Sequence, residues 1–505
     1  MNNKIYTLDE LNRLISQYKK HRQTIVLCHG VFDLLHIGHI KHLKKAKSLG
    51  DVLIVTVTPN RYVNKGPHRP VFDEELRMEA LASLEFVDFV ALNKLDTAEN
   101  AIYLLKPDIY VKGKDYMNID EDITGGINKE INAIKEIGGK IEFTDEITYS
   151  SSNLINNHID IYEPETKEFL SKFKSIYDIK EIKDYIEYIK SFKVLVIGET
   201  IIDEYIYGIS LGKVGKESII AFNPQTDEKY AGGALAVANH ISDFCKSVDV
   251  ITMIGSYNRN KTFIRDNLNH NVTPMFYSKK DSPTVIKKRY IDLDNYSKVF
   301  ETYHYKDSKL NNEESKILSE DIKKLINSYD VVVVCDFGHG MFTDEVIDSL
   351  KQAKHLVVNT QINAGNYGFN TINKYRYMRD LKIDFFCIDE KELRLATENR
   401  YDDIIDVIRK TDINQIIITR GSKGCIIKYG NDIIEIPALT SKIVDKVGAG
   451  DALLSISSIL SCTLPPPEIL GFVGNAVGAL AVSYIGNKEY ITKKKLYKYM
   501  ESLLK

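Results

Sequence analysis

The stretch Cys28-His29-Gly30-Val31-Phe32-Asp33-Leu34-Leu35-His36-Ile37-Gly38-His39 constrains this chain more than any other. It follows Thr24-Ile25-Val26-Leu27, a β-branched apolar run that reads as a buried strand, and precedes Ile40, Leu43 and Ala46 at helical spacing. The motif therefore occupies a strand-to-helix turn. There the first helical N–H groups lack intrahelical partners and the helix dipole adds partial positive charge, so the turn suits a nucleotide's phosphates. Gly30 and Gly38 allow close approach of backbone to ligand, and Phe32 and Asp33 complete G-x-F-D. His36 and His39, three apart, reach the same phosphate if the helix begins at or just after Ile37, and two imidazoles can donate hydrogen bonds to charge growing on it. A histidine pair near a helix start also serves as polar surface or as a cap. G-x-F-D followed by H-x-G-H after a strand favours the phosphate reading.

These residues resemble the cytidylyltransferase-like nucleotidyltransferases, which join an NTP to a phosphorylated alcohol or sugar and release pyrophosphate. H-x-G-H alone also occurs in class I aminoacyl-tRNA synthetases, but the preceding G-x-F-D and the small size of the region favour the first family. A chain of 505 residues exceeds one typical core, so two domains are expected. A net charge of −3, with lysines spread through amphipathic patterns, argues against a nucleic-acid binder. The six cysteines show no C-x-x-C spacing, which fits buried thiols in a reducing compartment. With no signal peptide and no apolar run of membrane-spanning length, the expectation is a cytoplasmic protein without membrane contact.

Residues 3–20 read as an amphipathic helix. Asp51–Val57, Phe89–Leu92 and Asp108–Val111 read as further strands alternating with helices, the pattern of a parallel sheet covered on both faces. Ligands on such sheets sit beyond the strands' carboxyl ends. Three clusters fall in place beside the histidine motif. Lys65-Gly66-Pro67-His68-Arg69-Pro70-Val71 is a basic loop, followed by Arg77 at a helix start, and these cations suit triphosphate and sugar phosphate. Lys112 and Asp115 leave the fourth strand as the usual partners of phosphate and of ribose hydroxyl or metal. Ser150, Ser151 and Ser152 open a helix with hydroxyls that can cap it or hold β- and γ-phosphates.

This order resembles the sugar-nucleotide branch of the family, most of all the adenylyltransferase half of the bifunctional ADP-heptose synthesis enzymes, over roughly residues 20 to 157. The resemblance implies that His36 and His39 stabilise a pentavalent α-phosphate, that Lys65 and Arg69 hold phosphates, and that Ser150–Ser152 bind the leaving pyrophosphate. His29 stands where that family usually has Asn.

Residues 161–190 read as a charged helical linker between a first domain, 1–160, and a second, 191–505. Lys193–Gly198 starts a second alternating series, with strands at Val331–Val334, Leu356–Val358 and Gln415–Thr419. Its decisive motif is Asp445-Lys446-Val447-Gly448-Ala449-Gly450-Asp451, followed by an apolar helical run. Gly448, Ala449 and Gly450 leave N–H groups open at a helix start for a transferring phosphoryl group, and Asp451 is placed to accept a hydroxyl proton. Gly208–Val214 lacks the spacing and the final hydroxyl of a Walker A loop.

The second half resembles the ribokinase-like carbohydrate kinases from about residue 191 to 490. By that resemblance Asp203, Gly232, Gly233 and Asn239 meet a sugar, Lys287 and Arg289 meet its phosphate, and Gly421, Gly424 and Asn475 lie on the nucleotide side. Glu392, in Asp389-Glu390-Lys391-Glu392, organises Mg²⁺ through water, with Asp389 in place of the usual Asn. The turn Asn359-Thr360-Gln361-Ile362-Asn363 departs from the D-P-K-like family pattern. Residues 204–230 and 284–304 supply the strands of a small lid through which such kinases often pair as homodimers.

The expected fold is α/β with two doubly wound domains: a Rossmann-like nucleotidyltransferase, then a ribokinase-like domain with a β lid. The expected function is bifunctional nucleotide-sugar synthesis. A heptose 7-phosphate-like substrate is phosphorylated by ATP at its anomeric hydroxyl, a separate phosphatase acts, and a nucleotidyl group passes from ATP or CTP to the 1-phosphate. The halves stand in the reverse of the heptose enzymes' usual order. A cytidylyltransferase joined to a kinase for another sugar or polyol, and a nucleotide-binding scaffold with one inactive domain, are the alternatives.

Overall fold

The apolar runs of the first 113 residues form four parallel strands, and an edge strand joins them. In the computed structural model, which describes residues 4–63, 69–114, 126–144, 162–215, 217, 219–257, 259–440 and 442–505, these are β1 Ile25–Gly30, β2 Val52–Val57, β3 Phe89–Leu92, β4 Ile109–Gly113 and β5 Lys140–Thr144, in the order β3-β2-β1-β4-β5. They belong to the first of two units, Met1–Glu163 with Tyr497–Lys505; the second is Pro164–Leu496. Alternate side chains of β1 and β2 feed two separate cores, as the period of two requires. Ile25, Leu27 and Ile54 pack with the helices at 8–20, 99–105 and 126–136, while Val26, Cys28, Leu53 and Val55 pack with Leu43, Ala46 and Leu81. The strand order reverses between β2-β1 and β1-β4, so the crevice favoured by ligands lies beyond the carboxyl end of β1. The sequence pattern gave no signal for β5, because K-I-E-F-T alternates exposed charge at Lys140 and Glu142 with half-buried Ile141 and Phe143, as an edge strand does.

The stretch read as a charged helical linker forms helices Pro164–Ile176 and Ile179–Tyr188. It differs from that expectation in burying its apolar face within the second unit: Phe173 stacks on Phe472 at 4.4 Å, and Leu170, Ile182 and Ile186 are buried. Long β6, Lys193–Lys213, then serves two sheets. Its first residues pair in parallel with β8 (Ser247–Tyr257) and β12 (Val331–Asp336). Beyond Thr200 it pairs with β7 (Ile220–Gly233) and β10 (Val285–Asp292), and β10 pairs with β11 (Lys298–His304), which makes the lid.

The main sheet runs β9-β8-β6-β12-β13-β14-β15-β16-β17, with β9 Val272–Pro283, β13 Leu356–Thr360, β14 Phe385–Asp389, β15 Gln415–Thr419, β16 Cys425–Tyr429 and β17 Asp432–Ile436. Val331–Val334 and Leu356–Val358 are fully buried, as strands covered on both faces must be. The discarded 208–214 stretch ends β6 and continues into the lid edge. No helix among the described residues is long and apolar enough to cross a membrane.

Candidate active sites

In the first unit β1 ends at Gly30, and the chain turns through Phe32 and Leu34, both in the left-handed region at φ 50°. Helix Ile37–Lys47 begins with His36 as its N-cap: Nδ1 accepts the Gly38 N–H at 3.1 Å, so the ring's proton belongs on Nε2. The His39 ring stacks on His36 with centroids 3.9 Å apart and planes inclined by 23°, and the edge of Phe32 meets His39 at 5.4 Å. The two imidazoles thus lie side by side at a helix N-terminus, as the three-residue spacing implied.

Other residues expected at phosphates turn out to build the turn. The buried Asp33 carboxylate accepts the N–H of Val71 at 2.9 Å and of Phe72 at 3.2 Å, fixing the segment after the basic loop. Arg77 is a correction. Its guanidinium is fully buried and donates to the carbonyls of Val31, Thr58 and Phe72 and to Asn60 Oδ1, so it holds three loops together rather than a ligand. Lys112 is another, being buried in a 2.9 Å ion pair with Glu130. Burial pushes the Glu130 carboxyl up, but Lys112, His29 and the Ala98 N–H together outweigh it and hold the group below the usual range. Arg69 is buried within electrostatic reach of Asp33. Lys65, Asp115 and Ser150–Ser152 lie outside the described residues.

His29, the departure from the family pattern, bonds Thr56 Oγ1 at 3.0 Å and Thr58 Oγ1 at 3.3 Å, and burial with Lys112 nearby pulls its pKa down to about 4. A residue that sequence reasoning missed stands one turn after His39. His42 Nδ1 lies 2.7 Å from Thr144 Oγ1 at the end of β5, and burial and Lys112 likewise hold its pKa at about 4. The repeated spacing of three in 36, 39 and 42 was the available signal.

The second unit holds a cleft of about 660 Å³, lined by Asp203, Gly233, Lys287, Arg289, Glu392, Gly421, Gly424, Asn475 and the Gly448–Asp451 corner. Gly448, at φ 84°, caps helix Ala449–Ser461, and a side chain at Gly450 would meet nothing within 4 Å, so the helix start is an open floor. Asp451 Oδ1 accepts a 2.7 Å hydrogen bond from Gln361 Nε2, and among the described residues the carboxylate makes no other. Burial raises its pKa to about 6, against the pull of that bond. Asp445 binds Lys298 of the lid at 2.6 Å, Tyr205 Oη at 3.0 Å and the N–H groups of Val447 and Gly486, which anchors the loop leading to Gly448.

Where a sugar is expected, Asp203 Oδ1 pairs with Arg289 at 2.5 Å and Oδ2 accepts from Asn487 at 3.2 Å. Gly232 does not line the cleft but makes room for it: a Cβ there would sit 2.1 Å from Asp203 Oδ2. Arg289 also binds Glu301 at 3.1 Å, so its guanidinium is committed to two carboxylates rather than left for a phosphate. Lys287, two residues before it, has no ion-pair partner among the described residues, and burial lowers its pKa. Asn239 is a further correction. It lies off the cleft, donating to the Asn267 carbonyl at 2.8 Å and accepting the Asn269 N–H at 3.0 Å, and so ties its helix to the loop before β9.

Where the nucleotide is expected, Glu392 accepts the N–H of Ile362 at 3.0 Å and of Asp389 at 2.7 Å, while Asp389 caps the Glu392 N–H. An aspartate caps as well as the expected asparagine, which accounts for that substitution. Burial, reinforced by Asp389, pushes the Glu392 carboxyl up to about 8. Asn475 donates to the Pro437 carbonyl at 2.7 Å, on the cleft wall.

Two family models match the chain: pfkB family carbohydrate kinase over residues 191–494, and cytidylyltransferase-like over residues 27–157. Among curated relatives, the chain is 36% identical over 163 residues to "Bifunctional protein HldE" of Syntrophotalea carbinolica, covering 32% of each chain. It is 42% identical over 156 residues to the protein of the same name from Campylobacter fetus, covering 30% of this chain and 31% of that one. The chain thus matches about a third of the length of these relatives. Among solved structures, phosphofructokinase-2 of Escherichia coli in complex with potassium aligns at a TM-score of 0.50 and 16% identity, covering 63% of this chain and 100% of that one. At that identity the likeness is one of fold.

Proposed function

The chain belongs to the pfkB family of carbohydrate kinases, and from that membership we propose that it is a bifunctional enzyme of nucleotide-sugar synthesis. In the kinase step a sugar already carrying a phosphate, of the heptose 7-phosphate kind, enters between Asp203 and Lys287. Oδ2 of Asp451, turned from Gln361, takes the proton of the anomeric hydroxyl as its oxygen bonds the γ-phosphorus of ATP and ADP departs. The N–H groups at the Gly448–Asp451 corner receive the phosphoryl oxygens. Lys287 reads the phosphate already present, since its ammonium lines the cleft and among the described residues forms no ion pair, with Asp203 only within electrostatic reach. This cation, outside any ion pair among the described residues though over the Tyr303 ring at 5.7 Å, shares the cleft with an oriented base, and that is the observation that carries the reading.

Mg²⁺ would be met on the cleft through Glu392 and Asp389, since Glu390 is already ion-paired to Arg394 and Arg420. Asp389 and Glu392 line the cleft side by side on the helix start after β14. That suits an ion carried mainly by nucleotide phosphates and water, with Glu392 organising the water. When bound, Mg²⁺ neutralises charge on the phosphates.

In the nucleotidyl step an oxygen of the sugar 1-phosphate attacks the α-phosphorus of ATP and pyrophosphate leaves. His36 and His39 donate to the oxygens on which charge grows, aided by the helix N-terminus they occupy. A phosphatase acting elsewhere removes the first phosphate between the two steps. The test is a panel of NTPs and sugar phosphates read by mass. Phosphorylation of heptose 7-phosphate and an ADP-sugar product support the reading, CDP-sugar with no ADP-sugar moves the donor to CTP, and no phosphoester or pyrophosphate with any pair overturns it.

A further inference from the structure

After β13 the chain enters Gln361–Asn370, a turn rich in asparagine whose polar side chains bond mainly to backbone. Asn363 Oδ1 accepts the N–H of Gly365 at 2.8 Å, and its Nδ2 donates to the Phe337 carbonyl at 2.8 Å. Asn366 and Asn370 both donate to the carbonyl of Gln361, at 3.0 and 3.1 Å, and the Gln361 N–H donates to the Asp336 carbonyl at 2.8 Å. The Gln361 backbone is therefore fixed at both its donor and its acceptor, and its side chain starts from a rigid base. The neighbouring N–H, of Ile362, ends on Glu392. One short turn thus touches both the carboxylate assigned to proton transfer and the one assigned to organise the metal's water.

A carboxylate with two unbonded oxygens can rotate and present either to a substrate. A donor held on Oδ1 removes that freedom and leaves Oδ2 as the basic atom. We propose that Gln361 is a positioning residue for phosphoryl transfer, holding Asp451 in the rotamer and the ionised form that accept the substrate proton. The inference rests on the reading of Asp451 as the base. Facing Asp451 are Lys287 on β10, which favours its ionised form, and Asp203 on β6, which opposes it. Glu392 at the start of its helix, Cys335 on β12 and Cys387 on β14 are also within electrostatic reach. Gln361 is the neutral donor among them.

The experiment uses the full chain with ATP and a heptose 7-phosphate, comparing Gln361→Met and Gln361→Glu with wild type in kcat, KM and pH profile. In Gln361→Met, kcat falls about tenfold with KM for ATP unchanged, and the acid limb of kcat moves up by about one unit, the worth of a charge-assisted hydrogen bond. Gln361→Glu, nearly isosteric, moves the limb further because a second carboxylate repels the first. Pyrophosphate release by the other site stays at the wild-type rate in both. Wild-type kcat and an unmoved acid limb in either variant that unfolds cooperatively overturn the proposal. Should Gln361→Met fail to fold, the Gln361→Glu profile decides alone. Asp451→Asn separates the two readings: if it turns over normally the base is misassigned, whereas an inactive Asp451→Asn beside a wild-type-like Gln361→Met overturns the role of Gln361 only.

Discussion

Lys287 and Arg289 stand two residues apart on one lid strand and line the same cleft, yet among the described residues only Arg289 is ion-paired, to Asp203 and Glu301. The pair therefore divides the work that their sequence spacing suggested they share. Arg289 orients the Asp203 carboxylate, and in the proposed kinase step Lys287 is the cation left to meet an incoming anion.

Replacing Lys287 by Met should raise KM for a phosphorylated sugar by about tenfold or more, the worth of a charge-assisted hydrogen bond. The same sugar without its phosphate should be used as poorly by the variant as by wild type. Replacing Arg289 by Met should instead leave buried Asp203 unpaired and cost about 3 kcal/mol of stability. Steady-state kinetics with the two sugars and urea unfolding distinguish these effects.

The kinase activity should fall as pH drops through about 6, because Asp451 acts only when ionised and burial raises its carboxyl to that value. Below that point kcat should decline about tenfold per unit. Asp451→Asn should lower kcat by about 10²- to 10⁴-fold at every pH, with KM for ATP little changed. A pH profile of ADP release in both proteins is the measurement.

The stacked imidazoles should be separable from the kinase. His36→Ala with His39→Ala should reduce pyrophosphate release by about 10²- to 10³-fold, the scale of losing oriented donors at a developing charge. ADP release with the kinase substrate should be unchanged. Pyrophosphate release at the wild-type rate would remove the histidine pair from the mechanism.

Buried His29 makes the N-terminal unit sensitive to acid. Its pKa is about 4 in the folded protein against 6.5 for an ordinary histidine, so below pH 6.5 the unfolded chain takes up a proton that the folded one refuses. The stability present above pH 6.5 is lost as pH falls toward 4, on the order of 2 kcal/mol by pH 5. His29→Asn should lessen that loss. Urea unfolding at pH 5 and 7.5 checks it, and an equal pH dependence in both proteins would contradict the burial argument.

The sequence alone determined the central strands, the strand-to-helix corner at His36 and the small-residue helix start at Gly448–Asp451. All are written in local pattern: unbroken β-branched runs for strands covered on both faces, and glycines with polar side chains at the first helical turn. His36 and His39 meet because neighbours three apart on one helix must, and the Gly448–Asp451 corner opens because small residues leave its N–H groups bare. Tertiary structure alone decided which charged groups remain for a ligand. Arg77, Lys112 and Arg289 have the chemistry of phosphate binders, but the groups that claim them come from other segments, such as Asp203, 86 residues from Arg289. Gln361 reaches Asp451 across 90 residues, and edge strand β5 pairs along β4 despite its polar alternation. A side chain's type fixes what it can bind, but its availability depends on which distant partner the fold brings within 3 Å, and no local pattern encodes that.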